Sequence, residues 1–240
     1  MQLFYDADIA NSQILSEEES YHCTKVLRLK NGDEIFITNG IGNLYKAKIT
    51  EIHQKHTEVE IIETINNFNK HNYFNHIAIA PTKNIDRFEW FIEKATEIGI
   101  NEITPILCKT SERKIVKQDR LYKIAISAMK QSYKSCLPKI NELTTFQEFI
   151  SKNTALYTNK YIAHCENEEK IYLGKIIEKQ SNYLTLIGPE GDFSTNEILL
   201  AKKNNFIPVS LGESRLRTET AGVVVCDIVS IINNLYNTHN

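Results

Sequence analysis

This 240-residue chain has no loop of the kind that usually grips phosphate. It carries neither a P-loop nor a G-x-G-x-x-G after an apolar run, which excludes the common nucleotide and dinucleotide clamps. Its five cysteines (Cys23, Cys108, Cys136, Cys165 and Cys226) are scattered, with no C-x-x-C and no Cys/His cluster. Zinc-ligand spacing is therefore missing and no metal is expected. An odd number of dispersed thiols suits a reducing cytoplasm. Met1 to Asp6 show no basic flank and no long apolar region, so no signal peptide is expected. The longest apolar stretch, Ala221 to Ile232, is broken by Asp227 and Ser230, too short and too polar for a membrane span. Internal repeats, low-complexity segments and a Ser/His/Asp or Cys/His nucleophilic spacing are absent as well.

An excess of charge of either sign is also lacking. The net charge is −2, with 42% hydrophobic residues, as in a soluble protein of one or two domains. The distribution is uneven. Residues 1–70 hold 7 Lys and Arg against 11 Asp and Glu, whereas Lys83 to Lys134 holds 11 basic against 7 acidic residues. That is a modest basic stretch, equally consistent with an ordinary solvated surface.

Short alternating runs dominate the first 70 residues: Asp33–Thr38 after Asn31-Gly32, Asn43–Ile49 after two glycines, and Thr57–Ile62. They predict a small barrel or meander. A capping box of Ser16 and Glu19 predicts one helix through Tyr21–Arg28. The polar run Asn66–Asn72 marks a boundary, giving domains 1–70 and 74–240. Beyond it the rhythm becomes β then α. His76–Ala80, Glu102–Leu107, Tyr161–His164, Tyr183–Ile187 and Phe206–Leu211 read as strands. Asn84 caps a helix with Ile85, Phe88, Ile92, Ala95 and Ile98 on one face, ended by Gly99; Lys117–Lys134 is a second helix. The alternation predicts an α/β domain with a mostly parallel sheet covered on both faces.

Two strand-to-helix loops stand out. Leu186-Ile187-Gly188-Pro189-Glu190-Gly191-Asp192-Phe193-Ser194 combines two glycines with a stiffening proline, then a Ser194/Glu197 capping box. Glu190 is either a surface charge or a group that orients a substrate or a neighbouring loop. The second loop is Leu211-Gly212-Glu213-Ser214-Arg215-Leu216-Arg217-Thr218-Glu219-Thr220-Ala221, directly before an apolar helix. Thr218 or Thr220 can serve that helix's free N–H groups. Arg217 and Glu219 are harder to explain as caps and are candidate functional residues; Arg215 equally suits solvent. His22 and His164 are more simply read as locally hydrogen-bonded. Asp227, inside the apolar helix, is expected to be hydrogen-bonded in the interior or at a subunit contact.

These two loops resemble the paired C-terminal signature of the RsmE family, the 16S ribosomal RNA uridine-N3 methyltransferases. Further blocks match along the whole chain. They are His22 with Val26-Leu27-Arg28 and Gly32-Asp33; Lys83, Arg87, Glu89, Lys94–Glu97, Gly99 and Pro105; Glu112-Arg113; and Gln131-Ser132 with Leu137-Pro138. The resemblance implies an N-terminal PUA-like β-barrel, a C-terminal SPOUT domain with a trefoil knot, a homodimer, and S-adenosylmethionine (SAM) as methyl donor. It sets the donor among three loops: the one after Tyr161–His164, with Ala163 and His164; the Gly188–Gly191 loop; and the Leu211–Thr218 loop. Three positions depart from the family pattern. Lys130 stands where an acidic residue is common, Lys134 where arginine is, and Lys114 where serine is.

On that reading Ile187, Gly188, Pro189, Glu190, Gly191, Leu211, Gly212, Leu216 and Thr218, with Ala163 and His164, bind the donor. Arg217, then Arg215, stabilises charge developing on the uracil, and Glu219 orients the arginine or accepts a proton. Arg28, Lys83, Arg87, Lys94 and Arg113 contact RNA phosphates. The alternatives are a SPOUT methyltransferase acting on another RNA, or an RNA-binding ribosome assembly factor with a vestigial pocket.

Overall fold

Strands β1 (Leu3–Tyr5), β2 (Glu34–Thr38), β3 (Leu44–Glu51) and β4 (Glu58–Ile65) pair in that order. β1 runs parallel to β2 and the other pairs are antiparallel. Alternation sends Ile35, Ile37, Tyr45, Ala47, Ile49 and Val59 to one buried face, where they meet Phe4, Ile9, Leu15 and Cys23. The computed structural model describes residues 2–153 and 157–234. The sheet belongs to the first of two units, Met1–Lys70 with Ile126–Leu137; the second is His71–Ala125 with Pro138–Asn240.

The helix predicted from Ser16 is shorter than the sequence suggests. After a single turn, α1 (Ile9–Ser12), Ser16 caps α2 (Glu17–Tyr21) by accepting from the Glu19 N–H at 3.4 Å. The reciprocal half of the box is missing, because Asp6 takes the Ser16 N–H at 3.0 Å. The Glu19 carboxylate turns inward, accepting from the Tyr5 N–H and, at 2.5 Å, from Lys130 Nζ. His22–Val26 then form a π-helical turn, and Arg28 leaves it in the left-handed region at φ 56°.

The second unit alternates as the sequence predicts, with short elements added. Its elements are β5 (Phe74–Ile79), α3 (Ile85–Ile98), β6 (Glu102–Leu107), α4 (Gln118–Gln131), β7 (Lys139–Ile140), β8 (Thr144–Thr145) and α5 (Phe146–Asn153). β9 (Asn159–Ala163), β10 (Ile171–Tyr172), β11 (Asn182–Ile187), α6 (Thr195–Lys203), β12 (Ile207–Ser210) and α7 (Thr218–Asn234) follow. From Ile126 onward α4 counts with the first unit. The sheet order is β10-β12-β9-β11-β5-β6-β7, with β8 also on β6, and every pairing is parallel. Ala78, Ile106, Ile162, Leu184 and Leu186 face α5 and α6 through Phe146, Phe149, Ile150, Ile198 and Ala201. The opposite face meets α7, which crosses α3.

That crossing is tight at Gly222. A Cβ there would lie 2.5 Å from Phe91 Cε2 and 3.1 Å from Ile79 Cδ1. Gly222→Val is expected to overpack the crossing and destabilise the protein by about 1–3 kcal/mol, read as a lower midpoint in denaturant unfolding. Of the two settings expected for Asp227, the interior one is not observed. On α7, Val225, Cys226, Ile228 and Val229 face inward, and helical spacing turns Asp227 outward, where it is exposed.

His76 is the main buried histidine of the sheet. Its ring sits 2.7 Å from both the Tyr157 hydroxyl and Thr104 Oγ1. Burial pushes its pKa down from 6.5 to about 4, with Lys139 adding to the effect and Glu102 opposing it. The folded state therefore binds the proton more weakly than the unfolded chain. Its contribution is fully present above 6.5 and lost as pH falls from 6.5 towards 4. Thermal unfolding across that window should show the decline, and His76→Gln should flatten it.

Candidate functional site

The carboxyl ends of β9, β11 and β12 are adjacent in the sheet, and the loops leaving them enclose a pocket of about 660 Å³. Outside the strand ends is where open parallel sheets bind ligands, and the volume suits a small molecule. Ala163 and His164 line it from the first loop, Ile187, Gly188, Pro189 and Glu190 from the second, and Leu211, Gly212, Leu216 and Thr218 from the third. Arg215 and Arg217 also line it, and both are exposed. Gly191 and Glu219 are not in the lining. Gly191 packs on Thr110, whose Cβ would lie 3.1 Å from an added methyl.

Side chains that sequence pattern did not single out tie the loops together. Asp192 Oδ2 accepts from the Cys165 N–H at 2.7 Å, and the Asp192 carbonyl accepts from Thr110 Oγ1 at 2.5 Å. Lys170 Nζ donates to the carbonyls of His164 and Glu166, both at 2.7 Å, so its charge closes the first loop on itself. Asp192 and Lys170 line the pocket too. Asp192 lies within the quoted second loop, but no spacing rule marks the bonds it makes. The Thr218 hydroxyl donates to the Gly188 carbonyl at 3.0 Å and stitches the third loop to the second. Glu190 accepts from the Lys83 N–H at 2.9 Å, which makes it an orienter of the loop before α3. The Ser194/Glu197 capping box is complete, and Glu197 also accepts from the Lys109 N–H at 2.8 Å.

His164 has a fully buried side chain with Nε2 2.9 Å from Glu168 Oε1, off-line for a hydrogen bond. Burial lowers its pKa, Lys170 adds to that, and Glu168 and Asp192 oppose it. The imidazole is thus kept neutral against the pocket wall. Lys202 holds the other oxygen of Glu168.

The candidate cations fall into different settings. Glu219 is buried at the start of α7, 3.8 Å from Arg87 Nε, and among the described residues its second carboxylate oxygen has no hydrogen-bond partner. Arg87 therefore sits beside the third loop as well as on α3. Arg113 is committed elsewhere, donating to the carbonyls of Thr82 and Lys83 at 2.9 and 2.6 Å. Lys83 pairs with Glu112 at 2.7 Å, and Lys94 with Glu93 and Glu97 at 2.7 and 2.9 Å. Arg28 is exposed in the first unit.

Two family models match the chain: an RNA methyltransferase domain over residues 69–230 and an RNA methyltransferase PUA domain over residues 15–62. The chain belongs to this RNA methyltransferase family. The methyltransferase is 31% identical over 227 residues to the ribosomal RNA small subunit methyltransferase E of Buchnera aphidicola, covering 91% of this chain and 87% of the relative. A crystal structure of a probable rRNA-methyltransferase from Porphyromonas gingivalis superposes with a TM-score of 0.91 at 39% identity, covering 99% of this chain and 100% of the other. The ribosomal RNA small subunit methyltransferase E of Neisseria gonorrhoeae, crystallised with S-adenosylmethionine, gives a TM-score of 0.84 at 26% identity over 97% of this chain and 98% of that one.

The lining of the methyltransferase's pocket fits such a donor. SAM carries no phosphate, and the pocket has no phosphate clamp. Ile187, Val209, Leu211, Leu216 and Ala221 give apolar walls for a flat base. Gly212 takes φ 136°, and nothing lies within 4 Å of where its Cβ would be, so a ligand can approach the backbone there.

Proposed function

We propose that this protein transfers a methyl group from SAM to N3 of a uridine in small-subunit (16S) ribosomal RNA. It is an rRNA methyltransferase by family, with a relative that matches over 91% of its length. The observation that carries the reading is the pocket at three adjacent strand ends, in a chain that superposes over 97% of its length on a SAM-bound relative.

When bound, SAM supplies an electrophilic methyl group on a sulfonium. Ile187, Leu211 and Leu216 would wall its adenine, and the backbone around Gly188, Pro189 and Gly212 would hold base and ribose, with Gly191 outside the lining shaping the turn. Ala163 and the neutral His164 close the first-loop side, while Thr218 keeps the second and third loops in register. Arg217, exposed on the rim, faces the base. Uracil N3 gives up its proton to solvent water, negative charge spreads to the flanking carbonyl oxygens where the guanidinium stabilises it, and N3 would then take the methyl group as the donor leaves as its neutral thioether. Arg215 is second in that role. Glu219, held by Arg87, orients the arginines. N3 lies on the pairing edge, so the target uridine is unpaired or flipped out.

Several finer features belong to the same proposal. The first sheet closes as a PUA-like barrel, and the second unit contains a trefoil knot. Two copies pair through the outward stripe of α7, where Val223 and Val224 are part-exposed and Asp227 and Ile231 exposed. Among the described residues no helix is long and apolar enough to cross a membrane, and the protein acts where ribosomes are made, in the cytoplasm.

The decisive experiment supplies labelled SAM to small ribosomal subunits that lack the modification, then maps the labelled base by mass spectrometry. Label on uridine N3 is expected. Label on a ribose, a guanine or a tRNA, or none at all, would overturn the assignment.

A further inference from the structure

An exposed run of lysines begins beside the pocket. Lys109 to Lys123 holds six cations (Lys109, Arg113, Lys114, Lys117, Arg120 and Lys123) against two acids, Glu112 and Asp119, in a chain of net charge −2. Much of this charge is already used. Glu112 pairs with Lys83, Arg120 with Glu89 at 2.5 Å, and Arg113 grips two carbonyls. Lys114, Lys117 and Lys123 are different: all three are exposed, and among the described residues no carboxylate lies within ion-pair distance of them. Lys117, Arg120 and Lys123 line one shallow depression together with Gln118 and a single acid, Asp119. Two apolar surfaces stand in water beside these lysines, Ile115 at 76% exposure and Tyr122 at 40%.

The near end of the run is bolted to the pocket. Thr110 donates to the Asp192 carbonyl, the Lys109 N–H donates to Glu197, and Arg113 holds Thr82 and Lys83, whose own N–H reaches Glu190. A polyanion lying along the run would end at the rim occupied by the Gly188–Asp192 loop.

We infer that Lys114, Lys117 and Lys123 form a track that holds the phosphate backbone of the RNA substrate and leads it to the pocket. The inference rests on the rRNA-methyltransferase reading and specifies the path of that substrate. The occupant is RNA rather than an acidic protein, because the reaction itself brings a polyanion to this rim. Unpaired cations release counterions when they meet phosphates, and the exposed Ile115 and Tyr122 offer apolar surface to unstacked bases.

The test compares the wild type with Lys114→Gln/Lys117→Gln/Lys123→Gln. A control variant neutralises three exposed lysines of the same unit, Lys152, Lys175 and Lys203. Binding of deproteinised 16S rRNA is titrated against salt, methylation of unmodified small subunits is followed, and SAM binding by calorimetry confirms the fold. The track variant should raise the RNA dissociation constant about tenfold and lower the salt slope by about two, the share of three phosphate contacts on a single strand. Its SAM affinity should not change, and the control should behave as wild type. RNA affinity and salt slope equal to wild type, in a variant that binds SAM, would overturn the track. So would an unchanged affinity for naked RNA with activity lost only on assembled subunits, since the lysines would then face protein. Failure of the wild type itself to methylate rRNA would count against the functional reading instead.

Discussion

Arg217→Ala is expected to cut turnover by about 10²–10³-fold, the scale of losing one donor to a developing oxyanion, while SAM binding largely survives. The reasoning rests on where the side chain stands. Arg217 lines the pocket yet is exposed, one residue before a threonine that is locked to the Gly188 carbonyl. The Arg217 carbonyl accepts the first-turn Ala221 N–H at 2.8 Å, so its backbone is fixed by α7 while its guanidinium is free to meet a base. Single-turnover methylation and SAM calorimetry on the same preparation separate chemistry from donor binding. Arg217→Lys should recover only part of the rate, since an ammonium keeps the charge and loses the planar fork. Unchanged turnover in the alanine variant would remove Arg217 from the mechanism.

The largest stability effect is expected from Lys130→Ala, about 3 kcal/mol, the scale of leaving the buried Glu19 carboxylate without its part-exposed partner. Glu19 is 5% exposed and accepts Lys130 Nζ at 2.5 Å. Without Lys130 its carboxylate keeps, among the described residues, the Tyr5 N–H at 3.3 Å and the edge of His22 at 3.8 Å. The same site should tolerate the loss of both charges better than the loss of one. Lys130→Met combined with Glu19→Gln is expected to restore much of the stability, measured as denaturant midpoints for the three proteins. A single variant as stable as wild type would show that Glu19 is solvated in the fold.

Lys130 also shows where sequence reasoning stops. Its departure from the family pattern suggests an altered RNA contact, but its partner lies 111 residues away and no local spacing reveals it. The glycine loops and the longer strands were legible because period and turn chemistry are local properties. β7, β8 and β10 have two residues each, too few to carry a period. The eight-residue α5 did leave a signal: Thr145 and Glu148 form a reciprocal cap, a T-x-x-E that the sequence displays. Within the pocket the glycines pointed to the site, whereas Asp192 and Lys170 act through tertiary bonds that become visible only once the loops are placed. Glu219 lies two residues after Arg217, and the first turn of α7 turns it inward to 3.8 Å from Arg87 Nε, a partner that no local spacing reveals.

The makeup of the first unit has a consequence for the order of events during synthesis. Its last piece, Ile126–Leu137, is separated from the rest by more than fifty residues of the second unit. That piece supplies the Ser135 carbonyl to Thr38 Oγ1 and to the Gly42 N–H, the Leu137 N–H to the Gly40 carbonyl, and the Tyr133 ring to Phe36 and Phe68. A nascent chain that has released only its first seventy residues holds the strands without their closing partners. The amino-terminal part of this protein therefore cannot finish folding first, and a ribosome making it must deliver residue 137 before that unit is complete.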